Sequence, residues 1–265
     1  MNARRTIALL VICVLAVCAN GVSSAAPGRI PQGTPPGGAM QAPPGVGPTQ
    51  ATPPDNAPRT IAPYFAPASP APKPPDAEGF LQRWLLLEPI TKPNRTNTVF
   101  TDSYVRSAFA AEYFPGQFTA IPRDGDKVTV AGQELAWHGL DSPSFNVKLF
   151  RFAYGLNKPT YGVIFWAVTV VTSPRELRNV RMAVGSNSAS KWWLNGKEAV
   201  ILSGDRRMVM DDCVSTRLTL NKGPNVIHGA VINGPGLSDF CVRFIDERGK
   251  PIRDLTMSLE RPGNH

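Results

Sequence analysis

Trp192 and Trp193 stand side by side in the stretch Val184 to Val200, VGSNSASKWWLNGKEAV, with Asn187 before them and Asn195 after them. Arg206 follows a few residues on. Indole faces stack on the apolar C–H faces of sugar rings, and amides and a guanidinium hold sugar hydroxyls. Binding sites commonly combine such apolar walls with a few placed polar groups. Asn187, Trp192, Trp193, Asn195 and Arg206 are therefore candidate carbohydrate-binding residues. Adjacent strand residues point to opposite faces, so one indole is expected in a core and the other is left free for ligand.

Residues suited to catalysis form no recognisable set. A serine hydrolase of the α/β type needs Gly-x-Ser-x-Gly at a strand-to-helix turn. Gly185-Ser186-Asn187 and Gly236-Leu237-Ser238-Asp239 are only partial echoes of it. The three histidines are His138, His228 and His265. His228 alternates within a strand and reads as a sheet histidine, and no cysteine–histidine cluster has zinc spacing. Asp205, Asp211, Asp212 and Asp239 are loop carboxylates, but nothing pairs them as glycoside hydrolysis requires. Acids beside arginines read instead as surface ion pairs. Neither a cofactor nor a metal is expected.

The elements that position these residues read as strands. Asn195-Gly196 between apolar runs is a strong two-residue hairpin signal, because both residues accept positive φ. Further strands are expected at Lys127–Val130, Phe145–Tyr154, Tyr161–Val171, Asn179–Val184, Ser190–Leu194, Lys197–Leu202, Val214–Leu220, Asn225–Ile232 and Phe240–Ile245. One helix is expected over Thr101–Phe114, capped by Thr101 or Asp102 and stopped by Pro115. Many short strands separated by turn residues predict a mostly β, antiparallel sandwich or jelly roll with one short helix.

The N-terminus has the composition of an export signal. Arg4 and Arg5 precede the apolar stretch Thr6–Val17, which is too short to span a bilayer, and Ser23-Ser24-Ala25-Ala26 fits a cleavage site. Cys18 lies in a sequence similar to a lipoprotein box, but Val17 fits that box poorly. From Pro27 to Pro75 the chain holds 16 of its 27 prolines and few charges. Such a segment buries too little apolar surface to offset its ordering entropy and favours polyproline II. The expected organisation is a signal peptide over 1–25, a disordered proline-rich linker over 26–75 and a β-sandwich over 76–265. The location is periplasmic or extracellular, with no transmembrane span after cleavage.

The formal charge is +8. Leaving out the leader and linker, with Arg4, Arg5, Arg29, Arg59, Lys73 and Asp55, leaves 23 basic and 19 acidic residues, a net of +4. The basic residues are dispersed, which argues against nucleic acid as a partner. Of the four cysteines, Cys13 and Cys18 leave with the leader, so Cys213 and Cys241 are the disulfide candidates of an oxidising compartment.

GSNSASKWWLNGKEAV resembles the Gly-Ser-Asp-Asp…Trp-Leu-Asn-Gly-Lys signature of galactose-binding-like β-sandwich modules. These accompany bacterial glycoside hydrolases and carbohydrate (acetylxylan) esterases. LTLNKGPNVIHGAVING resembles the strand pair that follows in those modules. FCVRFIDERGKPI resembles their last strand, and WLLLEPI and GDKVTVAGQELAW resemble their opening, with Trp137 at a recurrent tryptophan. The similarity covers most of Phe80 to Ile252. Asn187 and Ser188 stand where relatives carry paired aspartates, which removes charges suited to Ca²⁺. Glu88 replaces a glycine common before the proline.

The reading that follows is a non-catalytic exported module. It binds a polysaccharide or cell-envelope component on a proline-rich tether, and a secreted hydrolase is a further possible partner. The alternatives are a carbohydrate esterase or an accessory subunit of an exported polysaccharide-degrading system, and a purely structural envelope protein.

Overall fold

The structure, a computed structural model, describes residues 58–94 and 96–260. The signal peptide and the linker up to residue 57 lie outside the described residues. No helix among those described is long and apolar enough to cross a membrane.

The elements run in the order β1 (Ala66–Pro67), β2 (Arg83–Thr91), α1 (Asp102–Ala110), β3 (Lys127–Val130), β4 (Gln133–Asp141), α2 (Leu149–Gly155), β5 (Val163–Ser173), β6 (Leu177–Ser186), β7 (Ala189–Leu194), β8 (Lys197–Leu202), β9 (Cys213–Val214), β10 (Leu218–Leu220), β11 (Gly223–Asn233), β12 (Phe240–Ile245) and β13 (Thr256–Ser258). The larger sheet has the order β1-β4-β2-β5-β11-β7-β8, with β3 paired to β4 and β13 to β5. The smaller has the order β10-β6-β12, with β9 also on β6. All pairings are antiparallel. The expected mostly β, antiparallel sandwich is what forms.

Two cores sandwich the larger sheet. Trp84, Leu86, Phe165, Trp192 and Val231 on one face meet Val180, Met182, Val184, Phe240, Val242 and Phe244 of the smaller sheet. On the other face Leu85, Leu87, Ile164, Trp166, Val168 and Trp193 meet Phe100, Val105, Phe109 and Phe114, from α1 and its flanks. β5, VIFWAVTVVTS, is buried along almost its whole length because both of its faces are covered.

Three sequence expectations change. Residues 149–155, read as strand, form helix α2, because Leu149, Phe150, Phe152 and Ala153 fall at helical spacing and all are buried. The expected helix to Phe114 stops at Ala110. There Gln117 takes over the backbone, accepting from Tyr113 N–H at 2.8 Å and donating to Ala111 O at 2.7 Å.

Residues 58–75, assigned to the linker, lie against the sandwich. β1 pairs with Asp141 and Leu140, and Phe65 is buried at 6.1 Å from Phe152. Arg83, almost fully buried, binds Asp141 through two bonds of 2.9 Å and also donates to Ser69 at 3.2 Å and to Ala71 O.

Candidate functional site

The strand ends Thr91, Ser186, Leu202 and Asn233 and the strand starts Val163, Ala189, Cys213 and Phe240 all lie at one end of the sandwich, as their register requires. The connections between them therefore form a common loop end. Its backbone is tied together from within. Asn97 donates to Asp205 and to Pro235 O, both at 2.9 Å, and accepts from Gly234 N–H at 3.1 Å. Asn187 N–H donates to Asp239 O at 2.9 Å and Ser188 N–H to Arg206 O at 2.9 Å. Ser188 Oγ donates to Asn233 Oδ1 at 3.0 Å, and Asn233 Nδ2 donates to Thr160 O at 3.1 Å. A lattice of this kind holds loops rigid on a sheet scaffold, as recognition surfaces require.

The structure divides the five sequence candidates. Asn187 and Arg206 sit together at the loop end, with Arg206 held by Asp212 at 3.0 Å. Asn195 lies at the other end of β7, roughly 25 Å away at about 3.3 Å per strand residue. There its φ of 50° and the 76° of Gly196 form the expected turn. It accepts from Val226 N–H at 2.8 Å and donates to Asn225 at 2.9 Å, which makes it a staple of the hairpin.

The two indoles do face opposite sides, but neither is open. Trp192 is 0% exposed, between Trp84 and Phe240, with Nε1 donating to Ser190 Oγ at 3.0 Å. Trp193 is 6% exposed, stacked on Trp166 at 5.7 Å and covered by Phe118 at 5.5 Å. The expectation of one solvent-facing indole fails because α1 and the segment after it cover the second face of the sheet.

The disulfide expectation also fails. Cys213 pairs with Val184 and points into the core, whereas Cys241 pairs with Gly185 and points to the outer face of the smaller sheet. The two strands flank β6, which sets the cysteines about 10 Å apart, beyond bonding range. They are not bonded to each other.

All the large apolar side chains exposed among the described residues belong to the loop end: Val99 (40%), Tyr161 (45%), Val209 (56%) and Met210 (53%). Tyr161 borders an open cleft of about 380 Å³ with Thr91, Pro93, Asn94 and Gly162. The cleft is pre-formed. Asn94 accepts from Tyr104 OH at 2.8 Å and donates to Lys92 O at 2.7 Å, and Lys92 N–H donates to Gly162 O at 2.7 Å. Gly162 has φ 61°, and a Cβ there would lie 3.2 Å from Pro93 Cα, so the turn suits glycine. Phe150 backs the Tyr161 ring at 5.8 Å. Sequence reasoning placed Tyr161 at the head of a strand and missed its exposure. The available signal was its position after Pro159-Thr160 and before a glycine, outside the apolar run.

Val209 and Met210 form a second exposed feature, and they too are fixed. The Val209 carbonyl sits over Gly185, where a Cβ would come within 1.9 Å of it. Arg243 holds Asp211 from the adjacent strand, with its Nε at 3.0 Å from Oδ1.

A buried charge group lies just before β12. Asp239 accepts from Lys148 at 3.0 Å and from Asn146 at 3.1 Å. Burial pushes its carboxyl up to about 6, against the pull of Lys148 and Arg151.

The histidines lie elsewhere. His228 Nε2 bonds Ala120 O at 3.1 Å, and burial lowers its pKa. His138 Nε2 lies 3.5 Å from Glu88. No group of three or more metal-ligating side chains occurs among the described residues. A second cavity, about 190 Å³ between β4–β5 and the segment 114–122, is bordered by Phe114, Gln117 and Trp137. Both of its aromatic residues are buried.

A scan against protein-family models and a search of curated proteins find no match. Among solved structures, a PA14 sugar-binding domain from an RTX adhesin is similar at TM-score 0.36 and 12% identity, over 65% of this chain and 95% of that one. The PA14 domain of the antifreeze protein MpAFP gives 0.38 and 10%, over 67% and 92%. A β-glucosidase from Kluyveromyces marxianus gives 0.31 and 16%, over 64% of this chain and 15% of its own length. None of the three is described as a galactose-binding-like module or an esterase.

Proposed function

We propose that this chain is an exported, non-catalytic recognition module that binds carbohydrate or another cell-envelope component through its loop end. The observation that carries this reading is the concentration of the exposed apolar side chains there, with Tyr161 beside a pre-formed cleft edged by the fixed amide of Asn94. A tyrosine face next to placed amide and backbone groups suits a sugar ring, with C–H groups against the phenol and hydroxyls toward Asn94 and Thr91. Asn187 and Arg206 border the same end and extend the polar rim.

The leader and the proline-rich segment support a tethered, exported role. The functional unit then begins before residue 76, since residues 58–75 are part of the fold. Affinity electrophoresis of the full chain through xylan, galactan and peptidoglycan tests the reading. Retardation by one of these polymers, lost in Tyr161→Ala, is the expected result. Unretarded migration through all three contradicts it.

A further inference from the structure

β6 turns Val180, Met182 and Val184 into the core, so Arg181 faces outward on the smaller sheet, beside Ile245 of β12. Its neighbours on that face are neutralised. Arg178 holds Glu176 at 2.5 Å, Arg217 holds Glu247 at 2.9 Å, and Arg243 holds Asp211. Arg181 differs. Its Nη2 donates to two neutral carbonyl oxygens, Asp246 O at 3.1 Å and Glu247 O at 3.4 Å, and its Nε is enclosed without a hydrogen-bond partner. These carbonyls orient the guanidinium but leave its charge uncompensated.

The same side chain borders an open cavity of about 330 Å³, whose other walls are Thr216, Arg217 and Glu247. Two guanidinium groups and one carboxylate give these walls a single net positive charge. One carboxylate balances that, whereas a doubly charged phosphate exceeds it. Guanidinium forks suit the planar carboxylate geometry.

We propose that this cavity binds a carboxylate flanked by hydroxyls, as in a uronic acid residue of an acidic polysaccharide. Arg181 and Arg217 receive the carboxylate. The Glu247 carboxylate, an acceptor only, and the Thr216 hydroxyl take the neighbouring sugar hydroxyls. The site lies on a sheet face separate from the loop end and does not depend on the Tyr161 cleft.

The test is an NMR titration of the full chain with sodium glucuronate, glucose and inorganic phosphate, following the arginine side-chain resonances. Glucuronate is expected to shift Arg181 and Arg217 with millimolar affinity that weakens with salt, while glucose leaves them unmoved. Arg181→Gln abolishes the shifts. Arg217→Gln, at an exposed position that folding tolerates, weakens binding by about fivefold or more. Tyr161→Ala leaves the titration unchanged, which separates this site from the loop end. Glucose acting as strongly as glucuronate, phosphate binding more tightly than glucuronate, or Arg217→Gln binding as the natural chain does would each overturn the assignment.

Discussion

Replacing Gly229 with alanine probes the packing that buries Trp192. Gly229 lies in β11, directly opposite Trp192 on one side and Ala167 on the other. An added Cβ would stand 2.2 Å from Trp192 Cζ3, 2.5 Å from Cε3 and 2.7 Å from Cη2. The indole therefore has to move by roughly an ångström or more to regain contact distance. It has nowhere to go, because Trp84 at 5.9 Å and Phe240 at 4.9 Å hold it and no part of it reaches solvent. Overpacking of this kind costs about 1–3 kcal/mol, and the rigid surroundings place this case at the top of that range. Loss of glycine's backbone entropy returns roughly 0.5–1 kcal/mol, leaving a net cost of about 2 kcal/mol. Trp192→Phe removes the clashing atoms, so the two changes together should cost about 1–2 kcal/mol less than the sum of each alone. Urea unfolding followed by far-ultraviolet circular dichroism measures all four species. A Gly229→Ala variant within about 0.5 kcal/mol of the natural chain, or costs that simply add, would refute the packing argument.

Other consequences are equally direct. The Asp239 carboxyl titrates at about 6 in the fold against 3.8 when unfolded, so its contribution to stability is full below the lower value and lost as pH rises through the upper one. That amounts to about 3 kcal/mol, given 1.36 kcal/mol per pKa unit. Glu88 and Glu198 act in the opposite sense. Burial raises each, but Lys158, and Lys191 with Arg106, outweigh it and hold them low. The relevant measurement is thus the stability difference between the natural chain and Asp239→Asn, which should change across the window from 3.8 to about 6; a flat difference contradicts the assignment. Arg83→Gln should cost about 2–3 kcal/mol, since it removes charge-assisted bonds to the partly exposed Asp141, which keeps Lys73 at 3.7 Å, and should expose residues 58–75 to limited proteolysis. An unchanged cleavage pattern would show that this strap is held by other contacts.

Much of the sheet was readable from residue types. The Asn195-Gly196 turn, the β-branched run after Tyr161 and the alternation of Phe240, Val242 and Phe244 each specify a strand locally, and the strands formed where these signals lie. What local pattern does not reveal is which faces are covered. One of the two indoles, Trp192 or Trp193, is expected free from sequence because a sandwich strand ordinarily has one wet side. Yet β5, the neighbour but one of β7, carries a continuous apolar run rather than an alternating one, which is the mark of a sheet buried on both faces. Read together, those strands would have predicted that both indoles are enclosed. Helix α2 was missed because four bulky residues in seven satisfy either period over so short a length. The strap at residues 58–75 was missed because proline-rich composition suggests an extended chain, and an extended chain can also lie along a sheet edge. The cysteines illustrate the same limit, since their separation depends on strand order, which spacing in sequence does not encode.

Ligand recognition is assigned to the loop end. An amide NMR titration of the full chain with soluble fragments of whichever polymer retards it tests this directly. Perturbed resonances are expected to gather in residues 92–94, 97–99, 159–162, 203–212 and 233–239, around Tyr161. Shifts confined to the β3–β4 hairpin or to the exposed side of α1, with the Tyr161 region silent, would contradict it.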